Sequence, residues 1–397
     1  MKKFVGILLG LVLVLSGCST SLQDNNKVVQ DNKNKQQNAI IPKYSISSDY
    51  YKTILPYKPS TTRGLIVSDI GNRLDIDEFE QGLMRISSQQ FPIKDYLYQD
   101  GQLLDKSVVQ SWLKRKYTPQ EYKADLANLK KFDPTATLIN DGLNPISTDT
   151  VKLSADQQAQ KAPIYLNHIL EQDYLKKNGN EVKVAGVSIG LAMNSIYYYT
   201  EEHGYPRERD IPQSEMLKQG KDMAQQILTR LRSMPQFKDI PITFGIFRQS
   251  SRDSVVPGSF IVKTDVSGSD STIGSWDKID EKYYLFPSAQ ATADHRDDAM
   301  KIMNFKTDIE SYFPNYTGVV AKGFYKDNEL ANLTIDIPMQ FYGKSEVIAF
   351  TQYVTGLVME YFPSYLKVQV NISSVDRPEA LIVKDVNADK PYVHIFD

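Results

Sequence analysis

The stretch SEMLKQGKDMAQQILTRLRSM, residues 214–234, decides the fold. Met216, Leu217, Met223, Ile227, Leu228, Leu231 and Met234 recur at helical spacing and gather into one apolar stripe, with Lys, Gln and Arg side chains opposite. Pro235 cannot continue a helix and ends it. Ile240 to Gln249 then reads as a strand, Ser250-Ser251 as a loop, and PGSFIVK, Pro257 to Lys263, as the next strand. The same order of parts returns later. A helix from Glu346 to Phe362 is closed by Pro363 and followed by a strand from Leu366 to Ile372, by Ser373-Ser374, and by PEALIVK from Pro378 to Lys384. Strand-like segments precede each helix: Val182 to Tyr199 in the first copy, Gly318 to Tyr325 with Leu330 to Met339 in the second.

This order predicts an α/β (α+β) protein of two related domains from an internal duplication, each a mixed sheet with helices packed on one face. Two copies are too few for a solenoid. The Ser-Gly-Ser-Asp-Ser segment at 267–271 marks the boundary, so the first domain is placed at 44–270 and the second at 271–397. Asp294 to Phe313 is expected to be the lead-in helix of the second domain.

In the first domain, Arg63-Gly-Leu-Ile-Val-Ser-Asp69 has the short apolar run of a buried strand. Asp75 to Phe91 reads as a helix, with Ile76, Phe79, Leu83, Met84 and Ile86 behind an acidic first turn, and Ser107 to Tyr117 reads as another. Thr118-Pro119-Gln120-Glu121 is a capping box with proline at the first helical position; Tyr122, Leu126 and Leu129 follow on one face. Ala155 to Lys177 is expected to be helical around Ile164, Tyr165, His168, Ile169 and Tyr174, with a break at Pro163. Val182 to Tyr199, rich in β-branched and aromatic residues, predicts two strands with a turn near Met193-Asn194.

The chain begins with Lys2 and Lys3, an apolar run from Val5 to Leu15 broken only by Gly6 and Gly10, and then Leu15-Ser16-Gly17-Cys18. The run is too short to span a bilayer and has the length of a signal-peptide core. A cysteine behind a leucine and two small residues matches the lipobox of bacterial lipoproteins. There a lipid transferase attaches diacylglycerol to the thiol, a signal peptidase cuts between Gly17 and Cys18, and the cysteine becomes an acylated, palmitate-type membrane anchor. Cys18 is the only cysteine in 397 residues, so no intramolecular disulfide competes for it. Residues 1–17 are thus read as the signal, and 18–43, rich in Asn, Gln, Asp, Lys and Ser, as a flexible, disordered tether. Its root-mean-square span is on the order of 25–30 Å. The protein is expected on the outer face of the cytoplasmic membrane.

Removing residues 1–17 leaves 44 basic and 48 acidic side chains, a net charge of −4. Neither a nucleic-acid footprint nor a polybasic membrane patch is visible. Gly186-Val187-Ser188-Ile189-Gly190 matches the nucleophile-elbow pattern, but the residues behind it are strand-like where that turn needs a helix. Gly343-Lys344-Ser345 lacks the upstream glycine of a P-loop, Pro338 standing in its place. Asp69, Asp75, Asp77, Glu78 and Glu80 lack the alternation of a Ca²⁺ loop and suit a helix first turn. His203, His295 and His394 sit in no recognisable setting, and no zinc spacing occurs. No catalytic, cofactor or metal residue is therefore assigned, and no cofactor is expected.

The lipobox, the Asn/Gln-rich tether, Arg63-Gly-Leu-Ile-Val-Ser-Asp69, and the two-copy body with its PGSFIVK and EYFP segments resemble the CamS family. These are the sex pheromone cAM373 precursor lipoproteins of Gram-positive bacteria. The resemblance implies that further proteolysis of the cleaved signal releases a short apolar peptide, here Leu11, Val12, Leu13, Val14, Leu15, Ser16 and Gly17 or a trimmed form. It further implies that a receptor in a recipient cell carrying a conjugative plasmid senses this peptide. The family's named pheromone carries an aromatic residue and alanines, and this stretch has neither. For the anchored body two readings stand: a non-catalytic module binding a ligand or partner, with a cleft between the two copies as its expected site, or a surface hydrolase whose catalytic residues are dispersed in sequence.

Overall fold

The computed structural model describes residues 27–32, 35–146, 153–313 and 318–397. Met1 to Cys18, and with them the cleavage site and the candidate peptide, lie outside the described residues.

Strands β1 (Lys27–Asn32), β2 (Lys35–Ile40), β3 (Lys52–Thr53), β4 (Leu97–Asp100), β5 (Leu166–Asn178) and β6 (Glu181–Met193) enter one sheet; β7 (Ile196–Thr200) and β8 (Pro206–Asp210) form a separate ribbon. Strands β9 (Ile242–Arg248), β10 (Ser259–Val266) and β11 (Asp277–Lys278) complete the first sheet, in the order β11-β10-β9-β6-β5-β4-β3 with β1 on β6 and β2 on β1. The second sheet runs β12 (Glu281–Phe286), β13 (Val320–Lys326), β14 (Glu329–Pro338), β15 (Lys367–Ser373), β16 (Pro378–Lys384) and β17 (Tyr392–Ile395), in chain order. Among the described residues the helices are α1 (Arg63–Asp69), α2 (Arg73–Ser87), α3 (Lys106–Leu113), α4 (Pro119–Phe132), α5 (Ala155–Lys161), α6 (Gln213–Arg232), α7 (Ala289–Asp294), α8 (Arg296–Tyr312) and α9 (Lys344–Tyr361). None is long and apolar enough to cross a membrane.

The two sheets share a plan. From β4 through β5, β6, β9 and β10 to β11 the neighbours pair antiparallel, antiparallel, parallel, antiparallel and antiparallel. From β12 to β17 the senses are the same. A parallel pair needs a crossover, and in each sheet a long helix supplies it: α6 between β6 and β9, α9 between β14 and β15. The first is the helix that the periodicity marks, and the second is the one expected from the repeated order of parts.

The layers differ. In the second sheet one face is covered: Phe305 and Ile309 of α8 and Phe350, Val354 and Val358 of α9 pack on Leu333, Ile335, Val368 and Val370. In the first, α6 buries Met216, Met223, Ile227 and Leu231 against Val187, Ile189, Phe244 and Ile246, while α2 buries Phe79 and Leu83 against Ala192, Phe247 and Phe260 on the other face. The expectation of helices on one face therefore fails for this sheet, because β6 and β9 are buried on both sides. Glycines make room for the second layer. A Cβ on Gly186 would sit 2.2 Å from the Phe91 ring, and one on Gly190 would sit 2.8 Å from Phe79.

Three further expectations are corrected. Arg63–Asp69 is a helix, not a strand: Leu65 and Ile66 are buried, Val67 is 65% exposed, and the Ile70 amide closes on the Ile66 carbonyl. So short an apolar run carries no periodicity to separate the two. The helix expected to run to Lys177 stops at Lys161, and Leu166–Asn178 is a strand in which every residue from His168 to Leu175 is buried. Burial on both faces erases the strand alternation that would have identified it. The flexible tether does not extend through Lys27–Ile40, which forms the β1–β2 hairpin; Val28 and Ala39 are buried, and Gln30 donates to Gln99 at 2.7 Å. The break at Asn194 between β6 and β7 and the Thr118–Glu121 capping box stand as expected.

The sheets meet at Arg85. Its guanidinium bonds Glu281 at the start of β12 (2.7 Å) and Glu78 of its own helix, and lies over the Phe324 ring at 4.7 Å. Tyr283 donates to Glu78 at 2.5 Å. Both carboxylates are almost fully buried.

Candidate functional site

Polar side chains that face neither solvent nor the apolar core concentrate along β5. Asp100, ending β4, accepts from Arg63 Nε (2.8 Å), Tyr57 Oη (2.7 Å) and the Ser60 amide (3.2 Å), and Arg63 also reaches Glu80 at 3.2 Å. Burial alone would raise Asp100, but the bonds from Arg63 and Tyr57 hold its carboxyl below the usual range. His168 Nδ1 lies 3.0 Å from Asp69 Oδ2, and its Nε2 is buried without a partner. Glu171 and Asp173 point to the other face. Glu171 accepts from the amides of Leu103 (3.1 Å) and Leu104 (2.8 Å), Asp173 from Gln99 Nε2 (2.9 Å) and the Gln102 amide (3.0 Å). Burial pushes Glu171 well up and Asp173 to about 6.

A concentration of shifted carboxylates is where an active site is sought first. Space decides against substrate binding here. The gap lined by Ser60, Arg63, Glu80, Asp100 and His168 encloses about 10 Å³, room for about one water and far below a small-molecule pocket. These groups tie α1, α2 and the loop after β4 onto β5; they are a polar seam.

The motifs singled out in the sequence resolve into structure. Ser188 is fully buried in mid-β6, with its hydroxyl 3.3 Å from Tyr174 Oη and 3.4 Å from Gln172 Oε1, and the glycines flanking it are landing places for Phe91 and Phe79. Gly343 is the N-cap of α9. Asp75 accepts from the Ser250 amide (2.9 Å), Ser250 Oγ (2.9 Å) and the Gly258 amide (2.7 Å), pinning the β9–β10 loop. Glu78 belongs to the Arg85 junction and Glu80 to the seam. His295 stacks on Tyr325 at 3.7 Å. Among the described residues no cluster of His, Cys, Asp or Glu is placed to hold a metal.

A far roomier opening lies elsewhere, a cleft of about 950 Å³ lined by residues of the segments 41–52, 88–97 and 176–177. Lys43, Lys52, Lys94, Lys176 and Lys177 line it against the single carboxylate of Asp95, with Ser45, Ser47, Ser48 and Ser88 between them and the rings of Tyr50 and Tyr96 at its wall. Lys176 Nζ sits 4.5 Å above the Tyr96 ring, and Lys52 Nζ donates to the Lys43 carbonyl at 3.2 Å. The sequence predicts no polybasic patch, because these lysines come from three segments and no segment is basic enough to stand out. The cleft belongs to the first sheet and the segment that follows β2, not to the junction between the two sheets.

Comparison with known proteins places this geometry. A family model described as CamS sex pheromone cAM373 precursor matches residues 57–390. The crystal structure of a sex pheromone precursor from Lactobacillus salivarius subsp. salivarius UCC118 is similar with 32% identity, a TM-score of 0.78, and coverage of 90% of this chain and 99% of that one. The C-terminal domain of the sex pheromone staph-cAM373 precursor from Staphylococcus aureus is similar with 36% identity, a TM-score of 0.71, and coverage of 83% and 98%. No curated protein matches.

Proposed function

Because the chain belongs to the CamS family of sex pheromone cAM373 precursors, we propose that it is made as a lipoprotein whose discarded leader yields a short peptide pheromone. The observation that carries this reading is the family match over a chain that holds one cysteine, set directly behind Leu15-Ser16-Gly17. Cys18 receives diacylglycerol, signal peptidase cuts after Gly17, and further proteolysis frees Leu11–Gly17 or a trimmed form of it. The freed peptide is uncharged in its side chains and apolar over its first five residues, which suits an apolar receptor groove in a recipient cell and a role in conjugative plasmid transfer. The body stays lipid-anchored on the outer face of the membrane as a module that binds rather than catalyses. Two features support this: the buried polar groups of the seam tie elements of the fold together around a gap of about 10 Å³, and the cleft of about 950 Å³ presents lysine, serine and tyrosine.

Synthetic LVLVLSG added to cells carrying a responsive conjugative plasmid is expected to raise transfer frequency. The Leu13→Lys peptide is expected to be weaker by about tenfold or more, since a charge entering an apolar groove costs on the order of 2 kcal/mol or more. Equal potency of the two peptides, or no response to the parent on any cAM373-type plasmid, would count against the pheromone role.

A further inference from the structure

We propose that the lysine-lined cleft is where the body rests on the anionic surface of the membrane. Three observations point to it. The cleft sets five lysines against one carboxylate in a chain whose overall charge is −2, so the positive charge is local. The exposed heads of Lys43, Lys94, Lys176 and Lys177 can reach lipid phosphates while the serines supply hydroxyl donors, and Tyr50 and Tyr96 put amphipathic rings at the same rim, as interfacial residues do.

The third observation is position. Lys27, where the chain enters the described fold, pairs with Ile40, and Ile41, Pro42 and Lys43 of the cleft follow at once. On the next strand pair, Val29 lies beside Glu181 while Lys177 is paired with Val182, so the lysines of β5 share that end of the sheet. Eight residues lie between Cys18 and Lys27, nine steps of chain with a reach of roughly 30 Å at full extension. A lipid on Cys18 therefore holds this pole of the body within roughly 30 Å of the bilayer. That orientation rests on acylation of Cys18; the binding test below uses a chain without lipid, so failure of one is visible separately from failure of the other.

The chain from Ser19 onward carries every residue of the five apolar clusters, and the Lactobacillus relative is folded over a length matching 90% of this chain. It is sedimented with phosphatidylcholine vesicles and with vesicles holding roughly one-third phosphatidylglycerol. The expected result is binding to the anionic vesicles at least about tenfold stronger than to the neutral ones, lost at about 1 M salt, where charges are screened beyond about 3 Å. Lys94→Glu, Lys176→Glu and Lys177→Glu together should lower it about tenfold or more. Charge reversal at Lys123, Lys130 and Lys131 of α4, an equal change in net charge on another face, should leave most of it, with far-ultraviolet circular dichroism confirming that both variants fold. Equal binding to neutral vesicles, equal losses in the two triple variants, or binding of soluble poly(glycerol phosphate) with none to vesicles would overturn the proposal.

Discussion

Arg85→Ala is expected to lower the stability of the folded body by about 3–5 kcal/mol, the cost of leaving a buried charge without its partner. Among the described residues Arg85 is the only cation hydrogen-bonded to Glu78 and Glu281, which are 6% and 7% exposed. Burial already raises Glu78, and the guanidinium beside it works against that rise. Without Arg85 the two carboxylates face each other, and Tyr283 can hydrogen-bond only one of them. The damage falls where the first sheet joins the second, so unfolding should also become less cooperative. Arg85→Lys should recover only part of the loss, because a compact ammonium lacks the planar fork that grips Glu281 through two nitrogens and the guanidinium that lies over Phe324. Urea unfolding followed by fluorescence measures both effects. A loss below about 1 kcal/mol would show that water, not Arg85, compensates these carboxylates.

Stability is expected to fall by at least about 1 kcal/mol between pH 5 and pH 8 on account of the Glu171–Asp173 pair, and Glu171→Gln should make that fall smaller. Burial raises both carboxyls above their unfolded values, Asp173 from 3.8 to about 6 and Glu171 well above its own. The folded state then holds protons that the unfolded state releases. This stabilises the fold below the unfolded values, and the contribution is lost as pH rises through the folded ones. Of the two units by which Asp173 is displaced, about one lies above pH 5 and corresponds to about 1.4 kcal/mol, and Glu171 adds to it in the same direction. Asp173 Oδ1 is buried with no hydrogen-bond partner, and a proton on Glu171 is the donor placed to serve it. Asp75, Glu78 and Glu80, also raised by burial, act in the same direction and leave a residual slope in the variant. Asp100 and Glu379 are lowered; their contribution is complete by about pH 5 and is lost only toward stronger acid, so they do not confuse the window. Melting temperatures across pH 5–8 that coincide for the parent and Glu171→Gln would show that the pair is not protonated in the fold.

What can be read in the sequence follows the physics of each element. Helix α6 has one face on a sheet and one in solvent, so its periodicity is written in the residues, while α9 is legible through the repeated order of parts and the proline that closes it. The strands that follow them are bounded by proline, glycine and serine, and the plan common to the two sheets follows from their order. Strand β5 reads as a helix because both its faces are covered, and α1 reads as a strand because seven residues give too little pattern. The β1–β2 hairpin leaves no mark because its sequence is polar and its pairing depends on β6, far away in the chain. Site chemistry is least legible. Gly186, Ser188 and Gly190 imitate a catalytic elbow and serve aromatic packing, while the cleft lysines converge only after β5 has been laid beside the N-terminal segments.

Mass spectrometry of both products of maturation at Cys18, the membrane-bound N-terminus and the peptides in the culture supernatant, tests the precursor function most directly. A diacylated Cys18 together with a free peptide ending at Ser16 or Gly17 is the predicted result. An acylated Cys18 with no such peptide would leave an anchored surface protein without a pheromone, and an unacylated Cys18 in a chain still joined to its leader would contradict both halves of the proposal.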